Sequence, residues 1–84
     1  MAEFAVQPRF SFEWSQWEKT ASPRDLEELD RAMASIVLDP ALPGRLRSHY
    51  DPLNPSFLYR IESAMIHYRV VGGGDIEFLN LFPR

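Results

Sequence analysis

Arginine and histidine are the residues of this 84-residue chain whose chemistry points most directly to a function. All basic residues of the second half are arginines, and a guanidinium presents a planar fork of N–H donors that matches phosphate or carboxylate oxygens. An imidazole titrates near neutral pH and can transfer a proton. These residue types together suit the binding of a phosphate group and acid–base chemistry on it. The candidates are Arg45, Arg47, Arg60, Arg69, Arg84, His49 and His67.

Each candidate also has a structural interpretation that the sequence leaves open. An arginine can pair with a neighbouring acid or lie in solvent on an edge strand, and a histidine can be a satisfied polar group of the core. If Arg60, Arg69 and Arg84 share one face of a sheet, they form a concave cationic patch able to hold phosphates.

Other chemistries lack their residues. The chain has no cysteine, so a disulfide framework and a thiolate metal site are excluded, and two histidines cannot complete a three-histidine zinc site. The glycines at 72–74 are followed neither by Gly-Lys-Ser/Thr nor by a predicted helix, which argues for a turn and against a phosphate loop. No serine lies in a nucleophile-elbow context, and no two acids are spaced as a paired-carboxylate site. We expect neither a metal nor a cofactor.

Charge is distributed unevenly along the chain. The net charge of −3 argues against a general polyanion binder. Residues 1–42 carry four basic and eight acidic side chains, a net −4, whereas residues 43–84 carry five and four, a net +1. The net charge therefore does not exclude a phosphate site in the second half.

Composition indicates a globular protein, with 45% apolar and 13% aromatic residues. No apolar run approaches the roughly 18 residues of a membrane span, and the N-terminus lacks the layout of a signal peptide. We expect a single cytosolic domain over residues 1–84.

The first half predicts one short strand and two helices. Residues 4–7 alternate as a first or edge strand, and an aromatic stripe predicts a helix from Pro8 to about Lys19. Ser22, Pro23 and Asp25 form a helix start, and the residue before Pro40 ends this second helix. Glu27 and Arg31 are spaced to pair on its solvent side. The aromatic stripe is Phe10, Trp14 and Trp17, and the buried stripe of the second helix is Leu26, Leu29, Met33, Ile36 and Val37.

The second half predicts three strands. Residues 40–55 read as a loop with one turn around Leu46, after which polar and apolar residues alternate over 57–62 and 65–70. The glycines at 72–74 connect the second of these strands to a last one over 76–82 in a hairpin. That strand is apolar on both faces, which predicts burial on both sides or a middle position in the sheet. The expected fold is α+β in the order β-α-α-β-β-β, two helices packed on a small antiparallel sheet.

Three segments carry a resemblance to a known family. Residues 58–61, 66–70 and 76–84, together with the strand–helix–helix–three-strand order and the stop at Asp39-Pro40, resemble the RelE/ParE superfamily of bacterial toxins. The resemblance covers nearly the whole chain as a pattern, without an invariant motif. It implies a cytoplasmic toxin of a type II toxin–antitoxin pair, neutralised by an antitoxin protein that wraps it. RelE-like members cut mRNA on the ribosome, and ParE-like members poison DNA gyrase.

The resemblance also implies roles for particular residues. In the nucleases of the family, basic residues on the sheet bind and activate the scissile phosphate, and Arg60 and Arg84 match two such positions. We therefore expect catalysis from Arg60, Arg84 and His67, with substrate binding by the remaining candidates. These are Arg45, Arg47, His49 and Arg69.

Departures from the family pattern keep a second reading open. Glu62 and Met65 stand where RelE-like nucleases carry basic residues, and Arg84 is the last residue, so the tyrosine or histidine that follows in those enzymes is expected to be absent. A general base would come from His49, His67 or Glu62. The alternative is a ParE-like or degenerate relative that acts by binding gyrase or antitoxin without chemistry of its own. A third reading is a small α+β domain unrelated to this family. In either of the first two cases the antitoxin is expected to bring acidic side chains to Arg45, Arg47, Arg60 or Arg69 and apolar ones to a groove at the helices.

Overall fold

Two helices follow a short first strand, as the sequence predicts. The computed structural model describes residues 3–49 and 51–84, with β1 at Phe4–Val6, α1 at Pro8–Glu18 and α2 at Pro23–Leu38. The start of α2 is a capping box, in which the Ser22 hydroxyl accepts the Asp25 N–H at 3.1 Å and the Asp25 carboxylate accepts the Ser22 N–H at 3.1 Å.

Four further strands complete one sheet: β2 (Leu46–Ser48), β3 (Ser56–Arg60), β4 (Ala64–Val70) and β5 (Ile76–Pro83). The strand order is β1-β5-β4-β3-β2, and consecutive strands from β2 to β5 pair antiparallel. β1 pairs parallel to β5. The α+β class is confirmed, but the expectation of a purely antiparallel sheet is wrong, because β5 at the end of the chain pairs in parallel with β1.

The predicted loop over residues 40–55 contains the unpredicted strand β2. It has three residues and pairs only with Leu58, Phe57 and Ser56, so its signal lies in a partner strand and not in its own alternation. β5 does lie inside the sheet, between β1 and β4. It is not buried on both faces, since Phe82 is 40% exposed.

The two faces of the sheet differ in character. The face toward the helices forms the core, while the other face of β4 presents Met65, His67 and Arg69. A β-bulge shifts the register, because His67 pairs with Asn80 and Tyr68 with Phe78, which leaves Leu79 without an opposite residue. The largest fully buried core side chains are Tyr68, Phe10, Phe78, Leu29, Ile36, Ile66, Ile76 and Leu81.

The β4–β5 connection is the predicted hairpin and closes in a tight turn at Gly72–Gly74. Gly73 and Gly74 have φ of +83° and +84°, a region that favours glycine, which explains the glycine run in this turn. Within the described ranges, no helix is long and apolar enough to cross a membrane.

Candidate functional site

Three arginines line one pocket at the edge of the sheet where β3 and β5 end, and we call it the arginine pocket. Arg31 comes from α2, Arg60 ends β3, and Arg84 follows β5. The pocket has a volume of about 520 Å³. Its other charged lining residues are Glu28 and Glu62.

The sheet topology brings Arg60 and Arg84 together. Both β3 and β5 run antiparallel to β4, so their last residues lie beside its first ones, where Arg60 pairs with Met65 and Pro83 with Ala64. The tight turn between β3 and β4 then receives Arg84, whose N–H donates to Ser63 O at 3.0 Å. The Arg84 Nη1 donates to Ile61 O at 2.9 Å, which fixes the guanidinium at this turn.

The arginines of this pocket are not neutralised by its acids. Among the described residues, none of the three forms an ion pair within 4.0 Å. Glu62 is instead 3.6 Å from Arg24 Nη2, and Glu28 Oε1 accepts the Glu62 N–H at 3.2 Å. Three positive and two negative lining side chains leave a net +1, and both acids are engaged with other groups.

His67 lies elsewhere, on the sheet face opposite the helices, and is only 2% exposed. Its Nε2 is 2.7 Å from Ser56 Oγ and its Nδ1 is 2.8 Å from Asn80 Oδ1. Because the Asn80 amide donates to Glu13 at 3.2 Å, its oxygen faces the ring and accepts from Nδ1–H. In the neutral ring Nε2 then accepts from the Ser56 hydroxyl.

Glu13 extends this set of contacts, and we call Glu13, Ser56, His67 and Asn80 the His67 network. β1 pairs with β5 only as far as Phe78, so the edge of β5 beyond it has no neighbouring strand. Glu13 of α1 supplies the missing acceptor, taking the Leu81 N–H at 3.0 Å. The network therefore joins α1 to three strands of the sheet.

Arg69 does not join the other two arginines of the expected patch. It projects from the same face of β4 as Met65 but four residues further on, about 13 Å along a strand. Its Nε lies 2.5 Å from Glu77 Oε1 on β5, and Gln7 Nε2 donates to the second oxygen of Glu77 at 2.7 Å. Of the two arrangements that the sequence leaves open, Arg69 thus adopts the pairing with a neighbouring acid and does not lie in a common patch with Arg60 and Arg84.

The remaining candidates lie near β2. Arg45 stacks over the Phe57 ring, with its guanidinium carbon 4.3 Å from the ring centroid, and donates to Pro40 O at 3.4 Å. Arg47 and His49 are exposed and line a separate pocket of about 250 Å³ that also includes Asp51.

Asp51 accepts two hydrogen bonds from the turn that follows it. Its carboxylate accepts the Asn54 side-chain N–H at 2.8 Å and the Leu53 N–H at 3.0 Å. These hydrogen bonds lower the pKa of Asp51 from its ordinary value of 3.8. Asp51 therefore stabilises the turn formed by the residues that follow it.

Tyr68 is the other side chain with a shifted pKa. Burial raises the pKa of its phenol from the ordinary 10.0, and its hydroxyl donates to Pro40 O at 2.7 Å. The phenol remains protonated near neutral pH and holds the chain after α2 against the sheet.

Anion binding is the chemistry that the arginine pocket supports. Of the three general-base candidates, only Glu62 lines it, since His67 is enclosed in its network and His49 lies near β2. Within residues 3–49 and 51–84, no group of three or more His, Asp or Glu side chains could hold a metal ion.

Two features escaped the sequence analysis. Arg31 was expected to pair with Glu27, whereas it lines the pocket with Glu28 and Ser35. Their spacing of i−3 and i+4 places these residues on one helix flank, which is the signal available in the sequence. The partners of His67 were also missed, because they depend on strand register and on the bulge at Leu79.

Comparison with known proteins identifies no relative: no protein-family model, curated protein or solved structure matches this chain.

Proposed function

We propose that this protein is a toxin of a type II toxin–antitoxin pair with a RelE/ParE-like arrangement, and that it acts on RNA through the arginine pocket. The observation that supports this function best is the meeting of Arg60 and Arg84, 24 positions apart, in one pocket where neither forms an ion pair with a described residue. These are the two arginines that the family resemblance singles out for phosphate activation.

The fold supports the same proposal. The order of one strand, two helices and then consecutive antiparallel strands agrees with the resemblance, and β2 is one short addition to it. The proposed setting is the bacterial cytoplasm, with ribosome-bound mRNA as substrate and no membrane or cofactor.

The proposed reaction is an in-line cleavage of the RNA backbone. The 2′-oxygen attacks phosphorus, a P–O bond forms to give a cyclic phosphate, and the bond to the 5′-oxygen breaks. Arg60 and Arg84 stabilise the charge that develops on the phosphoryl oxygens, as positioned cations do. Glu62 takes the proton of the 2′-hydroxyl, and the leaving 5′-oxygen takes a proton from water.

An apolar groove is the proposed binding site for a segment of the antitoxin. A groove of about 620 Å³ between β1 and the helices is lined by Phe4, Val6, Trp14, Met33 and Val37, among others. An apolar stretch of the antitoxin would fill it, with acidic side chains reaching Arg45, Arg47, Arg60 or Arg69.

Induced expression in a bacterial host tests this function. We expect growth arrest with codon-specific cuts in ribosome-bound transcripts, and loss of both in Arg84→Ala. Lys19→Ala removes the same charge from an exposed position at the end of α1, so it is the matched control and should keep both effects. Cleavage that persists in Arg84→Ala, or the absence of any arrest, would contradict the proposal.

A second candidate is a ParE-like protein that binds gyrase or antitoxin without chemistry. The enclosure of His67 favours it, because the arginine pocket then has only carboxylates as proton acceptors. Growth arrest with intact transcripts and stalled gyrase would support this candidate over the nuclease.

A further inference from the structure

Helix α2 contributes a third arginine to the pocket, which neither the family resemblance nor the sequence pattern assigns. Arg31 shares one helix flank with Glu28, Ala32 and Ser35, and this flank faces the end of β3. The pairing of β2 with β3 reaches Leu58, so within the described residues Tyr59 and Arg60 have no partner in β2. Both residues line the pocket.

The positive charges of Arg31, Arg60 and Arg84 exceed the negative charges of Glu28 and Glu62 in the pocket lining by one, which favours binding of an anion. Arg31 and Arg60 have neither an ion pair nor a side-chain hydrogen bond within the described part of the chain, and the Arg84 guanidinium bonds only to Ile61 O. The guanidinium groups of Arg31 and Arg60 are therefore available to a ligand. Arg84 keeps most of its five N–H donors for the same purpose.

The number of arginines indicates the type of anion. Successive phosphates along an RNA strand offer acceptor oxygens to several arginine forks, whereas a single carboxylate presents two oxygens. The volume of about 520 Å³ falls in the usual range for small-ligand sites, roughly 300–1,000 Å³, and is large enough for a nucleotide. The Tyr59 ring and the Ser35 hydroxyl also line the pocket and suit a base and a ribose.

We propose that Arg31, Arg60 and Arg84 form a phosphate-binding site for single-stranded RNA, in which Arg31 is a direct phosphate ligand supplied by α2. The identity of the RNA rests on the proposed function, but the phosphate site itself does not. Binding is measured without turnover, so failure of the toxin function and failure of this site are distinguishable.

The test is a calorimetric titration of the full chain with three probes: inorganic phosphate, an RNA trinucleotide, and the same trinucleotide with a 5′-phosphate. We expect Arg31→Ala to weaken RNA binding about tenfold, because the substitution removes one charge-assisted hydrogen-bonded pair with a phosphate. Arg31→Lys should recover part of the loss. Tighter binding of the 5′-phosphorylated RNA identifies a terminal phosphate, and equal binding identifies the internal phosphodiester.

Lys19→Ala is the matched control and should bind within about twofold of the unaltered chain. Arg31 is exposed and alanine is the better helix former, so Arg31→Ala should fold, which its thermal unfolding will show. If Arg31→Ala binds RNA like the unaltered chain while Arg60→Ala does not, Arg31 is not a ligand and the inference is overturned. An acidic hexapeptide that binds as tightly as the RNA would also overturn it, in favour of a protein partner.

Discussion

Two polar regions of this molecule differ in whether their side chains have hydrogen-bond or ion-pair partners. In the His67 network both ring nitrogens have hydrogen-bond partners, and nearby Arg69 pairs with Glu77. In the arginine pocket, Arg31 and Arg60 have no acidic partner within the described residues, and the two carboxylates are engaged with other groups.

This difference assigns the two regions different roles. A buried polar group that is fully hydrogen-bonded stabilises one packing arrangement, and its loss leaves partners unsatisfied in a medium that penalises them. A cluster of unneutralised like charges contributes little to stability and is available to an external anion. We therefore expect substitutions in the network to change stability and those in the pocket to change binding.

The largest expected effect is in the network. His67→Ala removes the partner of Ser56 and Asn80 and leaves a cavity, so it should lower the free energy of unfolding by about 3 kcal/mol in urea titrations. The exposed His49 is the control, and His49→Ala should change it by less than about 0.5 kcal/mol. If His67→Ala lowered the free energy of unfolding no more than His49→Ala does, the structural role of His67 would be contradicted.

The opposite result is expected in the pocket. The double substitution Arg60→Ala and Arg84→Ala should weaken binding of a short RNA about a hundredfold, two tenfold steps, when titrated by fluorescence anisotropy. The free energy of unfolding should fall by less than about 1 kcal/mol, because the one hydrogen bond lost is that from Arg84 to Ile61 O. A large loss of stability with unchanged binding would reverse the two roles.

Tyr68 extends the comparison to a buried hydroxyl. Tyr68→Phe should cost about 1 kcal/mol, since Pro40 O loses its donor. Because the folded pKa of Tyr68 is raised above 10.0, its contribution is fully present below pH 10 and is lost as the pH rises through the folded pKa. Stability curves of the two proteins should therefore converge above pH 10, and curves that stay parallel there would contradict this.

The ion pair of Arg69 and Glu77 allows the contribution of a neutralised arginine to stability to be measured. A double-mutant cycle with alanine at both positions should give a coupling of about 0.5 kcal/mol at low salt, because both side chains are partly solvated. The coupling should fall as salt screens the pair. Zero coupling at low salt would show that Arg69 is as free to bind anions as Arg60.

The smallest effect concerns the turn at Asp51. Asn54→Ala removes one of the hydrogen bonds that lower the pKa of Asp51, so the carboxyl should titrate closer to 3.8 in NMR experiments. The contribution of this lowered pKa is present above 3.8 and is lost as the pH falls through the folded pKa. A pKa that does not move would assign the shift to other groups.

Local signals in the sequence predicted the helices well. The start of α2 is determined by three residues in a stretch of four, namely Ser22, Pro23 and Asp25. Its end is limited by Pro40. The strands β3 to β5 followed from alternation and from the glycine turn. Such elements depend on neighbours in sequence, which one chain displays directly.

Long-range pairing was beyond the same reasoning. The parallel partner of β1 lies more than 70 residues away, and β2 exists only because β3 offers it an edge. The same distinction between local signals and long-range pairing applies to the site. Arg60 and Arg84 could be found as candidates in the sequence. The separation of Arg69 from them depends on where β3 and β5 end along β4. The role of Arg31 depends on a helix flank facing an uncovered strand.

The most direct test of these two roles is an NMR titration of the full chain with a short single-stranded RNA. Amide shifts should concentrate at the arginine pocket, on Arg31 and Ser35 of α2 and on Arg60 and Arg84, while the His67 network stays unchanged. Shifts concentrated on Asn54, His67 and Asn80 would contradict the account, because RNA would then bind where the polar groups already have partners.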